Sequence, residues 1–581
     1  MDKTALKRII DVAMKREPAD LVLKQATIVD VYQAQTMIGD VAIVDGRIAG
    51  VGGTYEGNEV HDLTGKVLAP GLIEPHIHVE SSYVTPEEFG RLLAPLGTTT
   101  VLADPHEIVN VAGLKGLDYM IEAAKLTAID IRYMLPSCVP ATTLENAGAV
   151  IEARDMEGPL RNGQVEGLAE FMNYVGVVQA DDAVLDKLLV AKKYNKRIDG
   201  HSPMLDGYGL NAYIAAGITN DHECSTVEEM AARLSRGMYV FLREGTITQN
   251  LRKLLAGVTP QNSRRCVLCG DDVQAKTLLE KGHLDHSIRI CVEEGLDAIT
   301  AIQMATINTA ECCGLKDRGA VAPGLRADLI VFDNLDNLQV ERTYVKGELV
   351  GQGQRYLLPV ERGDASAVKS TVHLADLTES DLRLTLTSNR ARAIEVVPQE
   401  ALTREAIVSV IQDSQQAFVY DASQPVTKVA VIERHHHTGN IGLGLLKDYG
   451  IQKGAIALSI GHDSHNLLVT GTNDADMVQA VNELKVIDGG VVLVDKGEVL
   501  ATVPLPIGGI MSELSGEEVS KQLAVLNEVA YTELGISRAI DPIMTLSFMS
   551  LSVIPSLKLT DLGLVDVANL EFVPVSLEDE E

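Results

Sequence analysis

Positive charge is what this 581-residue chain has too little of. Lysine and arginine number 50 against 81 aspartates and glutamates, giving a formal net charge of -31. Phosphate recognition draws on clustered cations, so no nucleic-acid partner is expected, and no membrane partner either. Cysteine is sparse as well: seven, odd in number and scattered, make no disulfide framework. No uninterrupted apolar run approaches the roughly 18 residues of a membrane span. The opening "MDKTALKRIIDVAMKREPAD" lacks the apolar core and small-residue cleavage site of a secretory signal, and its spacing reads as an amphipathic helix. The expected location is the cytoplasm. Low-complexity segments and solenoid-scale repeats are missing too.

What the chain does have is apolar residues for more than one core, since single cores rarely outgrow about 250–300 residues. Residues 20 to 65 alternate in short stretches such as "LVLKQATIVDVY" and "GDVAIVDGRIAGVG", the pattern of small antiparallel strands. Beyond 66, strand-like runs alternate with helical ones, which implies a parallel sheet. Eight strand candidates follow one another: "LAPGLIEPHIH", "TTTVLADP", "DIRYMLPS", "VEGLAEF", "RIDGHSP", "ITNDHE", "YVFLREG" and "RCVLCGDD". That number suits a (β/α)8 TIM-like barrel. An open doubly wound sheet is weakened by the missing GxGxxG after the first strand. The expected organisation is an N-terminal helix and part of a small β domain (1–65), the barrel (66–320), a return to the β domain (321–362) and a C-terminal α+β domain (363–581).

Polar residues collect where those strands end, the place of catalytic groups in a barrel. His76 and His78 close the first strand, two apart and so on one side of it. Glu170 closes the fourth, His201 the fifth, His222 and Glu223 the sixth, Asp271 and Asp272 the eighth. A lone histidine on a strand is usually a satisfied core residue, and a lone Asp after a strand a turn or helix cap. Four histidines with several carboxylates at one rim call for a metal, and imidazole with carboxylate suits Zn, Mn or Fe(II).

With these residues in place the chain resembles the adenine deaminase family of the amidohydrolase superfamily. The motifs are "PGLIEPHIHVESS", "ADPHEIVNVAG", "EFMNYVGV", "DGHSP", "DHE", "GHLDHSIRICVEEGLDAITAIQMATINTA", "GHDSHN" and "IDPIMTLSFMSLSVIPSLKLTDLGLVDV", spread almost from end to end. Glu74, where an Asp is usual before HxH, and Val175, within a motif usually "MNYPG", depart from the pattern without removing a ligand. The resemblance implies hydrolysis of adenine to hypoxanthine and ammonia, in purine salvage, by a hydroxide on two divalent metal ions. Mn(II) or Fe(II) is favoured by the family, and Zn(II) fits as well. It further implies that His76, His78 and Asp271 hold one metal and His201 and His222 the other, with Glu170 bridging. Asp271 would take a proton from the hydroxide, and Glu223 is the expected shuttle to the leaving amine.

Further expected contacts are softer. Glu107, Ser82, Asn173, Asp272 and His283 are candidates for binding substrate or orienting a catalytic carboxylate, and His462, Asp463, His465 and Asn466 for a loop closing over the site. The "ERHHH" at 433–437 reads as surface or local hydrogen bonding. "HVE" and "CVLC" imitate the zinc nucleobase deaminases, but Cys266 and Cys269 would face opposite sides of one strand. The nearer rival is an amidohydrolase opening a cyclic amide or imide, such as a hydantoin or dihydropyrimidine. Those enzymes usually bridge their metals with a lysine, where this chain has "GLAEFMNY". A homodimer is the expected assembly.

Overall fold

The aliphatic run "KVLAPGLIEPHIH" folds as two strands, Val67–Pro70 and Leu72–His78. Gly71 is the pivot: a Cβ there would lie 2.3 Å from Thr99 Oγ1, and its N–H donates to the Asp328 carbonyl. The expected barrel start at 66 is therefore a few residues early, because Val67–Pro70 pairs with Ala19–Asp30 on one side and Leu329–Phe332 on the other. This computed structural model describes residues 2–398 and 400–578. In it a nine-stranded sheet combines strands from before the barrel, within 19–70, with strands from after it, within 329–356. Helix Lys3–Ala13, capped by Asp2, packs on this sheet.

The barrel strands are β1 (Leu72–His78), β2 (Thr98–Ala103), β3 (Asp130–Tyr133), β4 (Gly167–Phe171), β5 (Arg197–Gly200), β6 (Asn220–Asp221), β7 (Tyr239–Arg243) and β8 (Cys266–Cys269), which resumes after Gly270 as Asp271–Asp272. Neighbours run parallel, and Asp271–Asp272 pairs with β1, which closes the ring. Between β5 and β6 a side chain does part of the ladder's work: Asn220 Oδ1 accepts from the Gly200 N–H at 3.0 Å. Ile73, Leu102, Met134 and Ala169 pack on Ala310 and Leu315, in and just after helix Ile307–Cys313, in one apolar cluster. Cys266 and Cys269 fall in separate clusters, as residues three apart on a strand should.

The C-terminal part is built on an eight-stranded sheet in the order Thr403–Ser409, Arg390–Val396, Ile441–Lys447, Val426–Ile432, Leu467–Gly471, Ala455–Leu458, Gly490–Asp495, Glu498–Pro504. Helix Asp474–Val486 covers one face, its Met477, Ala480, Val481 and Leu484 buried against Val469 and Val492. Helix Gly516–Thr532 instead packs toward the barrel helix Ala275–Glu280, so the two parts share a wall. Among the described residues no helix is long and apolar enough to cross a membrane.

Candidate metal centre and active site

The strand ends bring His76, His78, Glu170, His201, His222 and Asp271 into one buried cluster, none of them more than 5% exposed. The His76 and His222 rings stack with centroids 4.1 Å apart, and those of His201 and His222 are 5.4 Å apart. Glu170 reaches both halves: Oε2 lies 2.7 Å from His201 Nδ1 and 3.2 Å from His222 Nε2, while Oε1 lies 3.4 Å from His78 Nε2. Asp271 Oδ1 lies 3.1 Å from His78 Nε2 and 3.4 Å from His76 Nε2. Burial opposes ionisation of Glu170, yet hydrogen bonds from His201 and His222 outweigh it and hold the carboxyl well below its usual range. Asp271 is likewise held low against its burial, by Arg243 and then by His76 and His78.

The residues fit divalent cations on their own evidence. Buried polar atoms are nearly always hydrogen-bonded, but His76 Nε2 and His201 Nε2 have no such partner. His78 Nδ1 donates to the Asp104 carbonyl at 3.0 Å, which fixes the tautomer and leaves Nε2 as a ligand atom. Nitrogen and oxygen donors of this kind suit Zn, Mn or Fe. His222 belongs to two possible ligand groups, one with His76 and Asp271 and one with Glu170 and His201. It thus lies between the halves rather than wholly in the second.

A cavity of about 610 Å³ opens on the cluster. Of the five expected substrate contacts, Asp272 alone lines it. Glu107 sits one layer back, its Oε2 3.6 Å from His78 Nδ1. Ser82 is fully buried and donates to the Val79 carbonyl, because the segment after β1 turns at once into a 3-10 helix. Asn173 is spent as the cap of helix Tyr174–Gln179, accepting from the Gly176 N–H at 2.8 Å. His283 contacts Glu74 at 3.0 Å and Thr98 at 2.9 Å, away from the cavity. Glu74 in turn accepts from the His76 and Gly270 N–H groups, both at 2.9 Å, so the pair braces the backbone beside two candidate ligands, His76 and Asp271.

Three residues of the cluster were not singled out in the sequence. His106 stands with its ring 4.6 Å from that of His78 and Nδ1 3.4 Å from Glu170 Oε1. Asp104 holds that nitrogen at 3.2 Å. Arg243, at the end of β7, joins Glu223 and Asp271. The "DPHE" after β2 signalled the first two, since strand-end polar groups point to the rim.

The outer wall comes from the C-terminal part: Glu400, Leu402, His462, Asp463, Phe548 and Ile554 line the same cavity. Asp463 Oδ1 lies 3.6 Å from His106 Nε2, and His462 stacks on Phe548 at 5.1 Å. His465 and Asn466 turn inward behind them, Asn466 bonding the Asn146 carbonyl at 2.7 Å. The "ERHHH" stretch is half brace and half surface: Arg434 is buried and donates to the His465 carbonyl, His435 Nε2 bonds the Ser464 carbonyl at 2.8 Å, and His436 and His437 are exposed.

Residues 67–350 match the amidohydrolase family. The enamidase of that superfamily superposes with a TM-score of 0.45 at 17% identity, over 59% of this chain and 98% of its own. Barrel and rim cluster define the class, an amidohydrolase. Residues 400–571 match the adenine deaminase C-terminal domain. The chain is 57% identical over 578 residues to the adenine deaminase of Ligilactobacillus salivarius, covering 100% of both. It is 54% identical over 573 residues to adenine deaminase 2 of Desulfotalea psychrophila, covering 99% of both. The chain belongs to the adenine deaminase family.

Proposed function

We propose that the chain hydrolyses adenine to hypoxanthine and ammonia. The observation that carries this reading is that the rim cluster of the barrel and the C-terminal part, which matches the adenine deaminase C-terminal domain, line one cavity. His76, His78 and Asp271 would hold one divalent cation and His201 and His222 the other, with Glu170 shared. Bound divalent cations acidify water towards neutral pH, which makes hydrolysis feasible there.

In the reaction a C–O bond forms and the C–N bond to the amino group breaks at the same ring carbon. The attacking water gives up a proton, and the departing nitrogen needs one to leave as ammonia. Asp271 accepts the first and passes it to Glu223, a carboxylate on the cavity wall, which hands it on to the departing nitrogen. Asp272, on the cavity wall, would meet the base, and His462 and Asp463 would close the far side with His465 and Asn466 bracing that loop. The same reading carries Mn(II) or Fe(II) as the metal, purine salvage as the setting, the cytoplasm as the location and a homodimer as the assembly.

Ammonia release is measured from adenine, and formation of the ring-opened carbamoyl acid from hydantoin and dihydrouracil, with metal analysis and sedimentation of protein purified without chelators. Turnover of adenine alone, with two metals per chain, is the expected result. Opening of the cyclic amides without deamination of adenine would overturn the reading.

A further inference from the structure

Arg243 ends the middle one of three adjacent barrel strands. β7 pairs with β6 on one side and with β8 on the other, Arg243 lying opposite Cys269. Glu223 follows β6 and Asp271 resumes β8, so the guanidinium has a carboxylate on each flank. Its Nη1 donates to Glu223 Oε1 at 2.5 Å and to Asp271 Oδ2 at 2.6 Å, and its Nη2 to Glu223 Oε2 at 3.2 Å. All three side chains are at least nine-tenths buried.

We propose that Arg243 is a positioning residue that holds Glu223 and Asp271 as a single unit at the reacting centre, an inference that rests on the adenine deaminase reading above. Two buried carboxylates side by side repel and turn apart unless a cation lies between them. A planar fork meets both in fixed directions, which a point-charge ammonium does not do. The bond also sorts the oxygens of Asp271: Oδ2 is taken by Arg243, so Oδ1 is the one aimed at His76 and His78. On the other side it leaves Glu223 Oε1 3.3 Å from His222 Nε2. Arg243 therefore acts through two neighbours, one a metal-ligand candidate and one the proton carrier. A displacement of about 1 Å of such groups can cost on the order of 10²-fold in rate.

The test uses the full-length, manganese-saturated enzyme with Arg243→Met, Arg243→Lys, Glu223→Gln and the double variant Arg243→Met/Glu223→Gln. Ammonia release from adenine, metal per chain and Tm are measured on the same preparations. Arg243→Met should lower kcat by about 10²-fold, with KM moving by no more than a few-fold. In the Glu223→Gln background the same change should add less than about threefold, because members of one unit are not additive. Wild-type kcat in Arg243→Met, or losses that simply multiply in the double variant, would overturn the proposal. Should Arg243→Met fail to fold, Arg243→Lys carries the test: at least a tenfold loss of kcat at wild-type Tm is expected, and an unchanged kcat refutes it. A wild-type enzyme that releases no ammonia from adenine defeats the functional reading instead, and that control is run first.

Discussion

Glutamine in place of Glu170 keeps the shape of the side chain and removes its charge. The carboxylate's Oε2 sits 2.7 Å from His201 and 3.2 Å from His222, and its Oε1 3.4 Å from both His78 and His106. An amide has one oxygen and one NH2, so one half of the cluster meets a group that cannot ligate. Two divalent cations about 3.5–4 Å apart, the usual spacing of two-metal sites, repel by roughly 17–19 kcal/mol at an effective dielectric constant near 20. The charge of Glu170, which reaches both halves of the cluster, would offset that repulsion for both. Glu170→Gln should therefore lose the more weakly held ion, leaving about one metal per chain. Its loss of kcat should exceed the 10–100-fold typical of removing a mere supporting partner of a ligand. Metal per chain after gel filtration, ammonia release and circular dichroism on one preparation decide it. Two tightly held metals with wild-type turnover would refute the bridging role.

Glu223→Gln should keep both metals while kcat and kcat/KM fall together by roughly 10²-fold or more, since an amide cannot ferry a proton; full turnover at full metal content moves the shuttle elsewhere. His222→Ala should cost more metal than His201→Ala, because His222 belongs to two of the four possible ligand groups and His201 to one, with the fold kept in each; two metals retained in both variants would mean the wrong histidines. Lys558 is buried and donates to the carbonyls of Ala401 and Phe548 at 2.6 and 2.9 Å, and burial pulls its ammonium pKa down to about 7. The unfolded chain keeps that proton up to about pH 10.4, so between about pH 7 and 10 the unfolded state binds more protons and this group makes stability rise with pH. Lys558→Met should flatten that rise, read as Tm against pH beside the wild type; parallel curves would be evidence against it.

His76, His78, Glu170, His201, His222 and Asp271 were legible because strand alternation and the rule of strand ends both act locally. Arg243 was not, although "YVFLREG" stood among the strands. An arginine closing an apolar strand looks like an exit to solvent, and only closure of the ring puts a carboxylate on each side of it. His283 fills the bracing rather than the substrate-binding half of its expectation, whereas Ser82 and Asn173 misled in the opposite way. They neighbour the motifs in sequence, but each is consumed by a backbone or second-layer bond that sequence spacing does not show. The split at Gly71 was hidden for a similar reason. Both strands are aliphatic, and what separates them is the close approach of Thr99 from another strand.

The nine-stranded sheet has a consequence for synthesis. A ribosome delivers the chain at about 5–20 residues per second. Val67–Pro70 is thus in hand on the order of ten seconds to a minute before Leu329–Phe332, the strand that pairs with it. In that interval the N-terminal strands form a half-sheet with an open edge, a template for pairing with another chain. The barrel segment must be synthesised before the sheet that precedes it can be finished. A closed barrel holds Val67–Pro70 and Leu329–Phe332 near each other, whereas an unfolded one leaves them to meet at the entropic cost of closing a long loop. What emerges first from the ribosome is completed late.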